Sequence, residues 1–374
     1  GLQKDPVNQK RLDEEDKRIA IVKADHAKVV EKAQELYRYE LLVPEVLPDG
    51  EPLARTGFRR KYGDAMRELL NRLTGGRPAI PEDVRAMEDR IKDEEAARKE
   101  YEKNPGAGLP KPPTETGPPL NAAGVLTKAG VLQDPRARAD INAAQRVYLY
   151  VQEYFEPKAG DQRVASLMFE SSMWDVDTTE PPTPEDVWEA QLKYWIQKDV
   201  VDAIVALNTE AAARVRQAGE DPWIGNMPVK ELIAIRLSDS FVIKSEEKAF
   251  SKPPGEYTAA SPPGTPATVF THSASSESFE VLQFTVKLVM DERDIPLLIE
   301  RLCNHRFHTL LRVAYKAIPA NRSMTGKIYG SEPAVNVVMD FETLLLGEVF
   351  RRWMPAKVIE DAGIKCRPQD VCWK

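Results

Sequence analysis

Apolar and polar positions alternate most regularly between Ser278 and Leu346. In Ser278–Met290, Leu282, Phe284, Val286, Leu288 and Met290 fall on one side, and Gln283, Thr285 and Lys287 on the other. Period two with one polar face predicts a half-buried strand of an antiparallel sheet. Asp291 and Asp294 then supply capping carboxylates, and Pro296 falls in a first helical turn, where its missing N–H is harmless. Ile295, Leu298, Ile299 and Leu302 follow at helical spacing and predict a short amphipathic helix. Alternation resumes in Thr309–Ile318, with Leu311, Val313 and Tyr315 opposite Arg312 and Lys316. A polar loop over 319–333 leads to a third strand, Ala334–Leu346. It sets Val335, Val337, Met339, Phe341 and Leu345 against Asn336, Asp340 and Glu342. The order is β-α-β-β.

A similar half precedes it. Thr183-Pro184-Glu185-Asp186 combines an N-cap threonine, a proline at the first helical position and two acids in the first turn. The helix it opens carries Trp188, Leu192, Ile196, Val200, Ile204 and Leu207 on one face and runs towards Gly219. Beyond Pro228, a strand places Val229, Glu231, Ile233, Ile235 and Leu237 opposite Lys230, Arg236 and Ser238. From Thr183 the order is α-β-β-α-β-β. The expected fold class is therefore α+β: an N-terminal helical or coiled-coil arm, then a ferredoxin-like unit permuted in chain order, with a four-stranded antiparallel sheet and two helices on one face.

The arm begins with a charged helix over 12–41. Leu12, Ile19, Val22, His26, Val29, Ala33 and Leu36 form one heptad-like seam along it. Phe58, Tyr62, Met66, Leu69 and Leu73 stripe a second helix that Gly75-Gly76 stops. A third starts near Pro81-Glu82-Asp83 and is polar enough to lie largely in solvent. The divisions are an arm at 1–103, a Pro/Gly-rich spacer at 104–120, and a segment at 121–182 of open type. In that segment 134–154 reads as helix, although the run RVYLYVQEYF suits a strand equally, and 164–174 suits either. The ferredoxin-like unit spans 183–346 with a flexible insertion at 251–278, and 347–374 forms a tail.

Composition narrows the function. Of 374 residues, 30% are charged and 29 are proline, which favours long exposed helices and extended connectors. A net charge of −7 gives no general attraction to nucleic acid or anionic membrane. The exposed positions of the second strand, Gln283, Thr285 and Lys287, include no aromatic side chain for base stacking. No run approaches the roughly 20 apolar residues of a spanning helix. The chain begins Gly-Leu, so a targeting or anchoring segment removed upstream is expected. The three cysteines are too few for a disulfide framework. Cys303 reads as a core thiol, while Cys366 and Cys372 are either bonded to each other or two free thiols.

No catalytic constellation is legible. There is no nucleophile elbow, phosphate loop or dinucleotide fingerprint. His305-Arg306-Phe307-His308 has ligand types at short spacing, but with no further ligands placed beside it the pair reads as a polar helix end. Asp291 and Asp294 read as caps in preference to an acid/base pair, and Trp188 and Trp195 as core aromatics. Catalytic, cofactor-binding and metal-binding residues are all expected to be absent.

In element order, and in stretches such as FTVKLVMDERDIPLLIERL followed by VNVVMDFETLLL, residues 183–346 resemble the PilO and GspM families, scaffold proteins of type IV pilus and type II secretion machines. Leu12–Leu41 is similar to their coiled-coil arm. The resemblance implies a non-enzymatic structural subunit without cofactor, periplasmic and anchored in the inner membrane through a segment absent from this chain. Its partners would be proteins, as a homodimer or a heterodimer with related envelope subunits, and not nucleic acid. The alternative expectation is a soluble ligand-binding or regulatory protein on the same kind of sheet.

Overall fold

The computed structural model describes residues 6–36, 39–103, 134–151, 180–237, 279–318 and 327–361. The spacer at 104–120, the insertion at 251–278, the run at 164–174 and Cys366 and Cys372 lie outside the described residues. The chain forms two compact units, Gly1–Glu40 and Leu41–Lys374. The first holds helix α1 (Pro6–Leu36). The second begins well before 103, so α2 (Pro52–Arg72) and α3 (Pro81–Lys103) belong to the unit that bears the sheet.

That unit is mixed α+β around helix α5 (Pro184–Gln217). Its start is the motif expected from sequence. The Thr183 hydroxyl accepts from the Asp186 N–H at 3.1 Å, and the Asp186 carboxylate accepts from the Thr183 N–H at 3.0 Å. Two orphan donors of the first turn are satisfied at once. Apolar residues surround α5, because it is buried on more than one side: α2 and α6 (Ile295–His305) both pack on it, and so does the sheet. From α2 come Phe58, Tyr62, Met66 and Leu69, and from its C-cap Leu73, all buried as their stripe predicts. Trp188 and Trp195 meet edge to face at 6.1 Å inside this core. Trp195 also meets Phe350, in the short helix α7 (Gly347–Phe350), at 5.5 Å.

The strands are β1 (Gly75–Gly76), β2 (Leu149–Val151), β3 (Val229–Leu237), β4 (Phe279–Asp291), β5 (His308–Ala317) and β6 (Ala334–Leu346). They form one sheet in the order β1-β2-β3-β4-β6-β5. β3, β4, β6 and β5 pair antiparallel, while β1 and β2 add in parallel beyond β3. The expected four-stranded sheet is thus a six-stranded mixed one. The two extra strands are short, and of 134–154, expected as helix with RVYLYVQEYF equally suited to a strand, only α4 (Pro135–Gln145) is helix, with β2 beyond it. β1 is a glycine pair because its neighbours leave no room. A Cβ on Gly75 would stand 2.3 Å from Val151 Cγ2, and one on Gly76 2.3 Å from Val147 Cγ1.

Phe284, Val286, Leu288 and Met290 of β4 face the core as their alternation predicts, beside Phe341, Met339, Val337 and Val335 of β6. Phe284 and Phe341 stack at 5.2 Å, an arrangement worth about 0.5–1.5 kcal/mol beyond the area buried. β3 departs from simple alternation. Its pairing with β4 slips at Lys230 and again at Ile233, so Val229, Leu232, Ile235 and Leu237 face the core and Glu231, Ala234 and Arg236 the other way. Each bulge inserts one unpaired residue and resets the side-chain phase. A third slip leaves Leu311 of β5 out of the alternation. On the opposite face, Ala144, Tyr150, Ile224, Val289, Ile328, Tyr329 and Ala334 form a second, smaller core. That face is therefore not wet throughout.

α3 and α4 pair at the β1–β2 end, where Arg138 forks onto Glu94 at 3.0 and 3.2 Å. Only Met87 of α3 is buried, in keeping with its polar sequence.

Candidate functional site

The residues of the seam expected on α1 lie on one helix. Leu12, Ile19 and Val22 are 58%, 49% and 66% exposed, and Ile21 beside them 62%. His26, Val29, Ala33 and Leu36 lie on the same helix, with side chains outside the described residues. Arg18–Glu15 and Lys28–Asp25 are exposed pairs at 3.2 and 3.6 Å on the surface of the helix. Such pairs contribute little, so a 31-residue helix with its apolar stripe in water has burial still to gain.

A second surface is the sheet edge at β5. The strand order ends there, and among the described residues no strand pairs with its outer side. From Ala314 to Ala317 both faces of the strand are exposed, and Tyr315 is 57% exposed. The root of the strand is held firmly. Arg312 donates to Asp340 at 2.7 Å, and Thr285 donates to the same carboxylate at 2.7 Å. Lys316 supplies a charge of the kind that discourages indiscriminate pairing at an open edge.

The structure gathers ionisable groups in three buried places. At the junction of α5, α6 and β5, His305 closes α6, Arg306 is extended, and His308 opens β5. His305 Nε2 and His308 Nε2 each stand 3.4 Å from the carboxylate of Asp199, and Arg306 Nε 3.5 Å. His305 ends α6 partly exposed, as its helix-end reading expects, whereas His308 is buried; both turn to an aspartate more than a hundred residues upstream. Sequence reading missed Asp199 because it lies inside the apolar run of α5. A charge at such a position was the signal available.

The second place is the first bulge of β3. Lys230 is buried and donates to the carbonyls of Gly225 and Met227 at 3.0 Å and of Ile224 at 3.5 Å. Burial pulls its pKa down to about 8, against the opposing pull of Asp291, Asp294 and Glu332. Its ammonium is engaged by three backbone carbonyls of one turn. Asp291 shows the cap expected of it, accepting from the Arg293 backbone N–H at 3.0 Å. Burial raises the Asp291 carboxyl, but the Arg293 side chain and backbone donors outweigh it and hold the pKa below the usual range. Asp294 occupies the N-cap of α6 without a side-chain cap bond. Its carboxyl is pushed up by burial and by the charge of Asp291.

The third place fastens the segment 327–330 to the sheet. Glu231 accepts from Tyr329 Oη at 2.5 Å and from Lys327 Nζ at 2.6 Å, and Tyr150 Oη accepts from the Ile328 N–H at 3.2 Å. Burial and the Glu231 charge keep the Tyr329 phenol well above its ordinary pKa. Cys303 is half-buried and unbonded, less enclosed than a core thiol, and burial raises its pKa.

Between α3 and α4 lies a cleft of about 350 Å³ lined by Arg77, Arg90, Arg146, Asp83 and Asn142 over Met87. Arg77 is paired with Asp83 at 2.8 Å, and Arg90 and Arg146 have no ion pair among the described residues. No helix among the described residues is long and apolar enough to cross a membrane. Comparison with family models, with curated proteins and with solved structures finds no match.

Proposed function

We propose that this chain is a non-enzymatic interaction subunit that associates with protein partners through α1 and the open edge of β5. The observation that carries the reading is the exposed stripe Leu12–Ile19–Val22 on a helix that forms a compact unit of its own. The β5 edge offers a second mode, the addition of a partner strand to the sheet.

Within the sheet, β4, α6 and β5 form a βαβ unit split by β6, with α5 leading into β3. This order supports reading 183–346 as a permuted ferredoxin-like unit, and with it the resemblance to PilO and GspM scaffolds. On that reading the chain works as a homodimer or paired with a related subunit, on the periplasmic side of an envelope assembly. The engaged state of Lys230 and of the carboxylates around it supports a structural use of these groups.

Replacing Ile19 and Val22 together by Glu tests the reading. Sedimentation equilibrium should show at least a tenfold loss of association, with the far-ultraviolet circular dichroism of the sheet-bearing unit unchanged. Association that is unaltered in the double variant would sink it. The arginine-lined cleft favours a second reading, a soluble binder of small anions. A saturable shift in thermal unfolding with a small di- or tricarboxylate, lost in Arg90→Ala, would favour it over the first.

A further inference from the structure

The junction of α5, α6 and β5 holds more than an ion pair. Asp199 and Asp202 are one turn apart on α5, and His305 is the last residue of α6. One ligand atom from each lies within 4.8 Å of the others. His308 closes the floor. Its side chain is wholly buried, both ring nitrogens lack a hydrogen-bond partner, and Nε2 is directed at Asp199 Oδ2 from 3.4 Å. His305 Nε2 is likewise buried without a hydrogen bond, 3.4 Å from Asp199 Oδ1. A buried imidazole with two idle nitrogens is expensive to keep, since each unmet polar atom costs about 1–3 kcal/mol. Two ligand atoms on one tetrahedral ion, each about 2.0–2.1 Å from it, stand roughly 3.4 Å apart. The spacing that is poor for a hydrogen bond is the spacing of ligands that share a cation.

We propose that Asp199, Asp202 and His305 bind one divalent transition-metal ion of the zinc type, with the buried His308 packed against the Asp199 carboxylate. Mixed imidazole and carboxylate donors suit zinc or cobalt better than calcium or magnesium, which take six or more oxygens or keep most of their waters. The surroundings fit the same ion. Asp202 is paired with Arg72 and with Lys198, the latter at 2.7 Å, and Arg306 lies 3.5 Å from Asp199. These cations orient the carboxylates from outside, as the partners of metal ligands commonly do. They also temper the negative charge that a hard, strongly charged site for calcium would need. Asp202 and His305 are partly exposed, at 18% and 37% of their side chains, and give the ion its route in from solvent, while Asp199 and His308 shut the inner side. The site would tie α5 to the α6–β5 turn in a chain whose proposed work is to hold partners.

The test uses the full chain after dialysis against a chelator. Zinc chloride in a titration calorimeter should bind at one equivalent with micromolar or tighter affinity, and cobalt(II) should give the intense visible absorption of a tetrahedral complex. Asp202→Asn and His305→Gln, both at partly exposed positions and expected to fold, should each weaken zinc on the order of 100-fold and abolish the cobalt spectrum. A folded wild-type chain that takes up neither ion overturns the proposal. So does uptake that Asp202→Asn and His305→Gln leave unchanged, since the ion would then sit elsewhere, at the C-terminal cysteines for instance. Neither outcome bears on association through α1, which sedimentation reads separately.

Discussion

Lys230→Met should change how stability depends on pH, and by a calculable amount. In the folded chain burial pulls the Lys230 ammonium from the ordinary 10.5 to about 8. At about 1.36 kcal/mol per pH unit, that is a penalty of roughly 3 kcal/mol for keeping the charge inside at neutral pH. Three carbonyl contacts to the 224–227 turn offset it. Below about 8 the amine is protonated in both folded and unfolded chains, and the penalty is felt in full. Between about 8 and 10.5 the folded chain releases the proton while the unfolded chain still holds it. The unfolded state then binds more protons, so stability rises with pH across that window. From pH 7 to pH 9.5 the wild type should gain roughly 2 kcal/mol from this group alone. Methionine has no proton to lose and leaves the three carbonyls without a donor. The stability of wild type relative to the variant should therefore rise by that amount between pH 7 and pH 9.5, whatever its sign at pH 7. Urea unfolding followed by circular dichroism, at half-unit steps from about pH 7 to pH 9.5, measures the gap directly. Tyr329 and the surface lysines are common to both chains and cancel. A gap constant to within about 0.5 kcal/mol would show that Lys230 is not held as the geometry requires.

Two further substitutions test how the sheet is fixed. Asn208→Ala removes both hydrogen bonds from α5 to Val229, at 2.9 Å to its carbonyl and 3.0 Å from its N–H. Both are buried, so a loss of about 2–4 kcal/mol in urea unfolding is expected, with Asn208→Asp intermediate; a loss under about 0.5 kcal/mol would contradict the pairing. Gly330 has φ +92°, and a Cβ there would fall 2.4 Å from the Gly225 carbonyl oxygen. Gly330→Ala should therefore lower the thermal midpoint by several degrees through strain of about 1–3 kcal/mol or more, and an unchanged midpoint would refute the close approach of the two backbones.

The elements with the cleanest periodicity were legible to within a residue or so. β6 spans Ala334–Leu346 as the alternation of Val335, Val337, Met339 and Phe341 requires, and α5 begins after the Thr183 cap. In these segments local propensity, cap chemistry and burial all agree. Three things escaped. The faces of β3 were misassigned because two bulges shift the phase, and a bulge leaves no mark in a string of apolar letters. β1 and β2 together hold five residues, too few for periodicity to register, and exist because β3 offers them an edge. The cluster at Asp199 is assembled from residues a hundred positions apart, and only the packing of α6 on α5 brings them together. The helix of α1 was readable because its charged run, proline-free beyond Pro6, favours helix without tertiary context.

Sheet order also bears on how the chain is made. β6 follows β4 and β5 in the chain, yet it lies between them and is hydrogen-bonded to both along most of its length. During synthesis β4 can pair with β3, but β5 has no neighbour, and the apolar faces of both wait for a strand still to come. Such a layout delays closure of the sheet until β6 has been made, because β4 must wait for a partner more than forty residues further along the chain. The open edges of β4 and β5 are most exposed to unwanted pairing in the interval before β6 emerges, when chaperone cover would matter most.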